Sequence, residues 1–400
     1  MKRVVSVLFL ITLLLSALSP AAYAAETVTI NVYNWGQYIA DGTDDSIDVI
    51  DAFEEAYPNI KVNYMTFDSN ESMYTKLKAG GSAFDIIIPS DYMVEKLIEE
   101  DMLEELDFSN IPNYEYIDQS FRDRPYDPEN RYSVPYTWGC VGVIYNTRYV
   151  DDADIGNWDL LWNEKYAGKI LMFDNPRDAF AISELSLGYS INTEESTLLT
   201  LAANKLREQK PVVQAYVMDQ IFDKMQRGEA WIAPYYAGDY LTMVEENPDL
   251  DFYFPEEGFN LFIDAICIPK GSEHKKEAET FINFLISPEI CGQNLEFLGY
   301  SAPSAAAKEY MDPDVASNPI AYPDEQTLSR GSSFSSLSLS STQEMNSLWL
   351  TVKTADSATT AYLILTVAAI ALIIFLWLFF KVRRKHRKAR RCQKWKQTGG

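Results

Sequence analysis

VTINVYNWGQYIAD, residues Val28–Asp41, is the stretch on which the fold turns. Val28, Ile30 and Val32 alternate with polar residues, the period of a buried strand. The run then breaks into an irregular turn that carries Trp35 and Tyr38. In open α/β folds, ligands sit just beyond the carboxyl ends of strands. Two large aromatics at that position, with nothing catalytic beside them, read either as the wall of a site for a stacking ligand or as ordinary core aromatics.

Outward from this strand the same alternation repeats. Thr43–Tyr57 places Ile47, Ile50, Phe53 and Tyr57 on one helical face, and Pro58 ends it. Ile60, Val62 and Tyr64 alternate as a strand, and Asn70–Ala79 reads as a helix closed by Gly80 and Gly81. Phe84–Pro89 (FDIIIP) is a mostly apolar run, the mark of a strand covered on both faces. Asp91–Asp101 is again helical. Strand–helix units at this spacing predict a parallel sheet with crossover helices. Phe121–Arg131 is a polar loop, and Tyr132–Asn146 reads as extended chain leaving the first unit.

A second alternation follows. Helices are predicted at Trp158–Tyr166, Asp178–Leu187, Glu194–Glu208 and Gln220–Arg227, and strands at Lys169–Phe173, Ala230–Tyr235 and Phe252–Phe254. Leu261–Pro269 (LFIDAICIP) is an apolar run suited to a return into the first sheet, and Glu273–Ile286 is an amphipathic helix. The fold class is therefore α/β, in two lobes with the chain passing between them more than once. The first lobe is expected over 25–135 with about 264–310, and the second over 136–263 with about 311–328.

The two ends read differently. Met1–Ala24 has Lys2 and Arg3, an apolar run over Val4–Leu18 and then Ala22-Tyr23-Ala24, a secretory signal peptide cut after Ala24. Residues 329–360 are expected to form a serine-rich stalk, SRGSSFSSLSLSS at Ser329–Ser341 being of low complexity. Ala361–Phe380 has no charge over twenty residues, enough for a transmembrane helix, and a basic tail follows at 381–400. By the positive-inside rule that tail is cytoplasmic and the body lies outside, anchored to the cytoplasmic membrane by this helix.

Charge narrows the partners. Ten of the 34 Lys and Arg follow Phe380 and two more sit in the leader, whereas all 58 Asp and Glu lie between, so the body carries 22 basic and 58 acidic side chains, a formal charge of −36. That balance argues against nucleic acid, whose affinity comes largely from Lys and Arg on phosphates, and favours a cationic ligand. Simple solubility explains the charge equally well. Cys140, Cys267 and Cys291 fit no metal or CxxC spacing, and Cys140 and Cys267 fall in predicted strands as small apolar residues. With only His274 and His386, both in charged surroundings, nothing points to histidine-based catalysis, a metal or a cofactor.

From about Thr27 to about Asp324 the chain resembles the substrate-binding proteins of bacterial spermidine/putrescine ABC transporters. The motifs are YNW-x-x-Y at Tyr33–Tyr38, SNE-x-MY-x-KL at Ser69–Leu77, D-x-x-x-PS-x-Y at Asp85–Tyr92, Y-x-x-PY-x-WG at Tyr132–Gly139 and W-x-x-LW at Trp158–Trp162. They continue with I-x-IP at Ile266–Pro269, INFL at Ile282–Leu285, GY-x-x-PS at Gly299–Ser304 and YPD at Tyr322–Asp324. The resemblance implies a two-lobe periplasmic-binding-protein fold with an inter-lobe cleft that closes on a polyamine, gripping its methylenes with aromatics and its ammonium ends with carboxylates. It also implies ABC permease subunits as partners.

Carried over position by position, Trp35 and Tyr38 match the first aromatic pair, and Ser90 and Tyr92 the Ser and Tyr of the PS turn. Asp178 matches a family Glu, Tyr236 and Phe262 fall where some members have Trp, Asp264 matches the amine-binding Asp, and Tyr300 a lining Tyr. Gln37, Asn175 and Phe334 depart from acids or a Gln found in some members. Fewer acids favour a diamine over a triamine. A membrane anchor lies outside the family pattern.

These residue types suit the chemistry. Aromatic faces attract an ammonium by roughly 0.5–2 kcal/mol each and bury the chain, and a carboxylate at each end fixes its length, because an unpaired buried charge is costly. Each also has a plainer role open to it. Asp264, the only charge in Leu261–Pro269, could bond backbone amides; Asp178 could serve a helix dipole; Ser90 could cap the helix that begins at Asp91; Tyr236, Phe262 and Tyr300 could be core. Two alternatives to a receptor delivering to a permease remain at this level, a membrane-anchored surface sensor or adhesion protein, and a binder of another small solute. No nucleophile–base pair or phosphate loop suggests an enzyme.

Overall fold

The computed structural model describes residues 27–80 and 84–354, with six isolated residues between 366 and 381. The expected leader at Met1–Ala24 and almost all of the basic tail lie outside the described residues. Ten strands are described: β1 (Val28–Trp35), β2 (Ile60–Phe67), β3 (Ile86–Ile87), β4 (Ser133–Asn146), β5 (Ile170–Phe173), β6 (Val213–Val217), β7 (Ile232–Tyr236), β8 (Leu250–Tyr253), β9 (Phe259–Cys267) and β10 (Gly331–Ser332). They belong to two α/β units. One comprises the chain up to Gly139 together with Phe262–Tyr322, the other Cys140–Leu261 and the chain from Pro323 onward.

In the first unit β1 is central. It pairs in parallel with β2, from Val28↔Ile60 to Trp35↔Phe67, and with β3 at Val32↔Ile86 and Tyr33↔Ile87. Parallel neighbours need crossovers, which the helices Val49–Ala56 and Asn70–Lys78 supply. β9 closes the sheet antiparallel to β3 at Ile87↔Cys267, the return expected of its apolar run. The first helix begins later than its periodicity suggests. Gly42, Asp44 and Asp45 hold positive φ, so the chain turns at 42–45, and Asp48 then caps Val49–Ala56 by accepting from the Asp51 amide at 2.9 Å.

In the second unit β4 pairs antiparallel with β7 on one side and β8 on the other, and β5 lies parallel to β7 and β6. Gly142 makes the β4–β8 approach possible, because a Cβ there would stand 2.2 Å from the Phe252 ring and 2.6 Å from the Tyr253 carbonyl. Trp158, Tyr166, Phe173 and Phe180 are fully buried in this unit. Part of the serine-rich stretch is built into it as well. Residues 339–354 are helical, with Met345, Trp349 and Val352 buried.

One expectation about the fold class is corrected. Among the described residues no helix is long and apolar enough to cross a membrane, which overturns the C-terminal transmembrane helix read at Ala361–Phe380. A span needs about 20 apolar residues. The helix over 339–354 is sixteen residues long in all and includes Glu344 and Lys353, and of residues 361–380 only Thr366, Ile370, Leu372, Phe375 and Trp377 are described.

Candidate functional site

The first unit gathers most of the residues singled out from the sequence. Asp264, on β9, is 3 % exposed. Tyr38 donates its hydroxyl to Asp264 Oδ2 at 2.6 Å. Oδ1 is buried and accepts no hydrogen bond among the described residues. Burial pushes the carboxyl from 3.8 up to about 6, against the downward pull of the Tyr38 hydrogen bond and of the neighbouring Ser90 hydroxyl. Ser90 and Asp264 face each other across an antiparallel bridge. Asp264 is thus not a structural carboxylate satisfied by backbone amides. It is an acid held in an apolar place with one oxygen unused.

Aromatic rings line the same place. The Tyr38 ring meets Tyr300 edge-on at 5.1 Å and Tyr136 at 5.8 Å, and Tyr300 lies 6.4 Å from Phe262. Tyr38 reaches Asp264 from a turn in which Gln37 adopts φ 50°, a costly conformation for a residue other than glycine. The Tyr136 hydroxyl, donating to the Tyr38 carbonyl at 2.8 Å, secures that turn. Gly139 admits the Phe262 ring, since a Cβ there would lie 2.8 Å from Phe262 Cζ. Trp35, at the end of β1, stacks obliquely on Phe67 at 4.6 Å, and its indole nitrogen is buried with no partner among the described residues.

Ser90 and Tyr92 open the helix Asp91–Glu99, and the Ser90 side chain makes no capping bond to it. The Tyr92 hydroxyl donates to Glu71 at 3.0 Å and accepts from Asn70 at 3.1 Å. Asn70 and Glu71 were not among the candidates from sequence, although the SNE triplet contains both.

The second unit holds a smaller cluster. Asp178 sits in the first turn of the helix Pro176–Ser186, buried at 5 % exposure. Its Oδ2 accepts from Asn175 Nδ2 at 2.6 Å and from the Tyr236 hydroxyl at 3.1 Å. Tyr236 packs on Phe173 at 5.3 Å. Asp178 therefore has both the helix-terminal position and an aromatic partner. Arg177 beside it covers the Phe334 ring at 4.4 Å and donates to the Ser335 carbonyl at 3.0 Å and to Asn192 at 2.7 Å.

Deeper in that helix, Glu184 is fully buried, with neither carboxyl oxygen hydrogen-bonded among the described residues. Burial raises it from 4.5 to about 8, with Arg177 pulling the other way. A raised folded value contributes stability that is complete below 4.5 and lost as pH rises through 8. Glu184→Gln is therefore expected to melt above the parent at pH 8.5, by a margin that shrinks toward pH 5. Thermal melts at the two pH values check this, and a larger loss at pH 8.5 than at pH 5 would contradict it.

Among the described residues no group of three or more His, Cys, Asp or Glu could hold a metal ion, and Cys140, Cys267 and Cys291 are buried free thiols. A chain that crosses between two α/β units at 139/140, 261/262 and 322/323, with buried carboxylates set among tyrosines, has the build of a solute receptor. It belongs to the family described as bacterial extracellular solute-binding protein, whose model matches residues 48–323. It is a binding protein and not an enzyme.

Within that family it is 33 % identical over 312 residues to the spermidine/putrescine-binding periplasmic protein of Escherichia coli (strain K12), covering 78 % of this chain and 88 % of that one. Among solved structures, a spermidine/putrescine ABC transporter protein from Listeria monocytogenes is 38 % identical with a TM-score of 0.77, over 81 % of this chain and 98 % of that one. The spermidine/putrescine substrate-binding protein PotD from Streptococcus pneumoniae is 36 % identical with a TM-score of 0.69, over 82 % of this chain and 99 % of that one.

Proposed function

We propose that this protein captures a polyamine outside the cytoplasm and delivers it to the permease subunits of an ABC transporter. The observation that carries the reading is the Asp264 carboxylate, buried among Tyr38, Tyr300 and Phe262, with Oδ1 unpartnered among the described residues. An alkylammonium group satisfies such an acid and presents methylenes to the surrounding rings. The names of the relatives point to the same solute. Asp264 and Ser90 receive one ammonium group, with Trp35, Tyr38, Tyr92, Phe262 and Tyr300 around it. Within the second unit, Asp178 and Tyr236 form an acid–tyrosine pair of the same chemistry.

Putrescine is placed ahead of spermidine, because Gln37 and Asn175 stand where some family members carry acids. Titration calorimetry of the purified protein with putrescine, spermidine and spermine tests the reading. One-to-one binding at micromolar or lower dissociation constant, on the order of 8 kcal/mol or more, is expected for putrescine. Absence of heat with all three, from a folded sample, would overturn it.

A further inference from the structure

We infer that Asn294 is a positioning residue of the amine site, holding the turn after β1 so that the Tyr38 hydroxyl stays on Asp264. This deepens the polyamine reading and rests on it for its functional meaning.

The turn bends through Gln37 at φ 50°, a conformation that persists only where its surroundings hold it. Three side chains grip it. The Tyr38 carbonyl accepts from the Tyr136 hydroxyl at 2.8 Å and from Asn34 Nδ2 at 3.3 Å. Two residues on, the Ala40 amide donates to Asn294 Oδ1 at 2.8 Å. Asn294 Nδ2 in turn donates to the Tyr136 hydroxyl at 2.8 Å. Asn294 belongs to the helix Pro288–Leu298 and is fully buried, so both ends of its carboxamide are spent on this turn.

The direction of every hydrogen in the chain follows. A backbone N–H only donates, so the atom facing Ala40 is the amide oxygen and the one facing Tyr136 is Nδ2. Having received that hydrogen, the Tyr136 hydroxyl sends its own to the Tyr38 carbonyl, which only accepts. The Tyr38 backbone is thereby fixed, and its hydroxyl donates to Asp264 Oδ2 at 2.6 Å. Each link from Asn294 to Asp264 is a hydrogen bond between buried groups or the backbone of one residue. The ionisable groups facing Asp264 are Tyr38 and Tyr136, with Tyr300 edge-on to the Tyr38 ring, and no Lys or Arg pairs with it among the described residues. Burial holds Tyr38 and Tyr136 neutral well beyond ordinary tyrosine values, so Tyr38 remains a donor wherever Asp264 titrates.

Carboxyl carbon NMR on the ligand-free protein tests the inference, with the Asp264 signal identified by its loss in Asp264→Asn. Tyr38→Phe removes the last link and is expected to raise the Asp264 midpoint by about one pH unit, the scale of one hydrogen bond to a charged group. Asn294→Leu, of similar volume but without hydrogen-bonding groups, is expected to raise it by about 0.5 unit or more, the smallest coupling expected within one network. In the Tyr38→Phe background it adds nothing. A merely structural role for Asn294 would lower the melting temperature and leave the midpoint in place, or would shift it as much without the Tyr38 hydroxyl as with it, and either result overturns the inference. If Asn294→Leu does not fold, Asn294→Ser, too short to reach both Ala40 and Tyr136, is read in the same way. Because the titration needs no ligand, it fails or succeeds independently of the calorimetry on polyamines.

Discussion

Replacing Asp264 with asparagine is expected to abolish polyamine binding at neutral pH and, in the same molecule, to raise the melting temperature of the ligand-free protein. The two effects share one cause. In the free protein the carboxylate is desolvated, and among the described residues Tyr38 makes its only hydrogen bond and Oδ1 has no partner. Its folded value of about 6 exceeds the ordinary 3.8, so its contribution to stability is intact below 3.8 and lost by about pH 6. That loss is about 3 kcal/mol at neutral pH. Asparagine escapes it, less roughly 1–3 kcal/mol for an amide hydrogen left without an acceptor. Melting should therefore rise by up to a few degrees at pH 8 and fall slightly at pH 4.5, where the parent carboxyl is already neutral.

Binding moves the other way. Truncating one partner of a buried charge pair typically costs 2–5 kcal/mol or more, at least about thirtyfold in affinity. The parent itself should bind progressively more weakly below pH 6, as the ammonium must then expel a proton from Asp264. Melting at the two pH values, with and without putrescine, separates the outcomes. If Asp264→Asn destabilises the free protein as much at pH 8 as at pH 4.5, the carboxylate is a structural element and the amine site lies elsewhere.

Asp264 was legible in the sequence for the same reason that it is unstable in the fold. One charge in the nine residues of Leu261–Pro269 can be tolerated there only with a purpose or a partner. β1, β2 and β9 were legible through alternation or a largely apolar run. Other elements carried no such pattern. β6 is half-buried along most of its length and follows Pro211, and its five residues VQAYV are too short an alternation to mark a strand. The helix Ala237–Glu246 starts directly after β7 and includes Gly238, and Pro288–Leu298 contains Cys291, Gly292 and Asn294 in its buried face. Asn70 was hidden for another reason. A polar residue opening a helix looks like a solvated one, and only the structure shows its carboxamide turned inward onto Ser90 and Tyr92. The membrane-spanning helix was read from hydropathy alone, and the described helices do not supply it.

Ending the chain after Ser332 is expected to unfold the second unit, whereas ending it after Thr354 leaves its melting unchanged. Serine-rich composition suggests a segment that contributes nothing to a core, but here the serines alternate with anchors. Phe334, Leu337, Met345, Trp349 and Val352 are all buried. Trp349 meets Tyr216 of β6 edge-on at 5.3 Å, Lys210 donates to the Val352 carbonyl at 3.1 Å, and Lys353 pairs with Asp174. Two of the serines are themselves used, Ser341 donating to Glu194 at 2.9 Å and the Ser338 amide at 3.3 Å, and the Ser338 hydroxyl, then that of Ser341, lowers the Glu194 carboxyl from its ordinary value. Five apolar side chains at about 1.5–3 kcal/mol each amount to roughly 10 kcal/mol, comparable with the 5–15 kcal/mol that holds a whole domain folded. Trp349→Ala alone should cost about 3–5 kcal/mol, a fall in melting temperature on the order of 10 °C. The same segment also holds Arg177, through Phe334 and Ser335, at the start of the helix that carries Asp178. Thermal melts of the two truncations and of Trp349→Ala decide the matter. A chain ending at Ser332 that melts within about 2 °C of one ending at Thr354 would mean that the buried anchors add almost nothing and that the segment is the stalk its composition suggests.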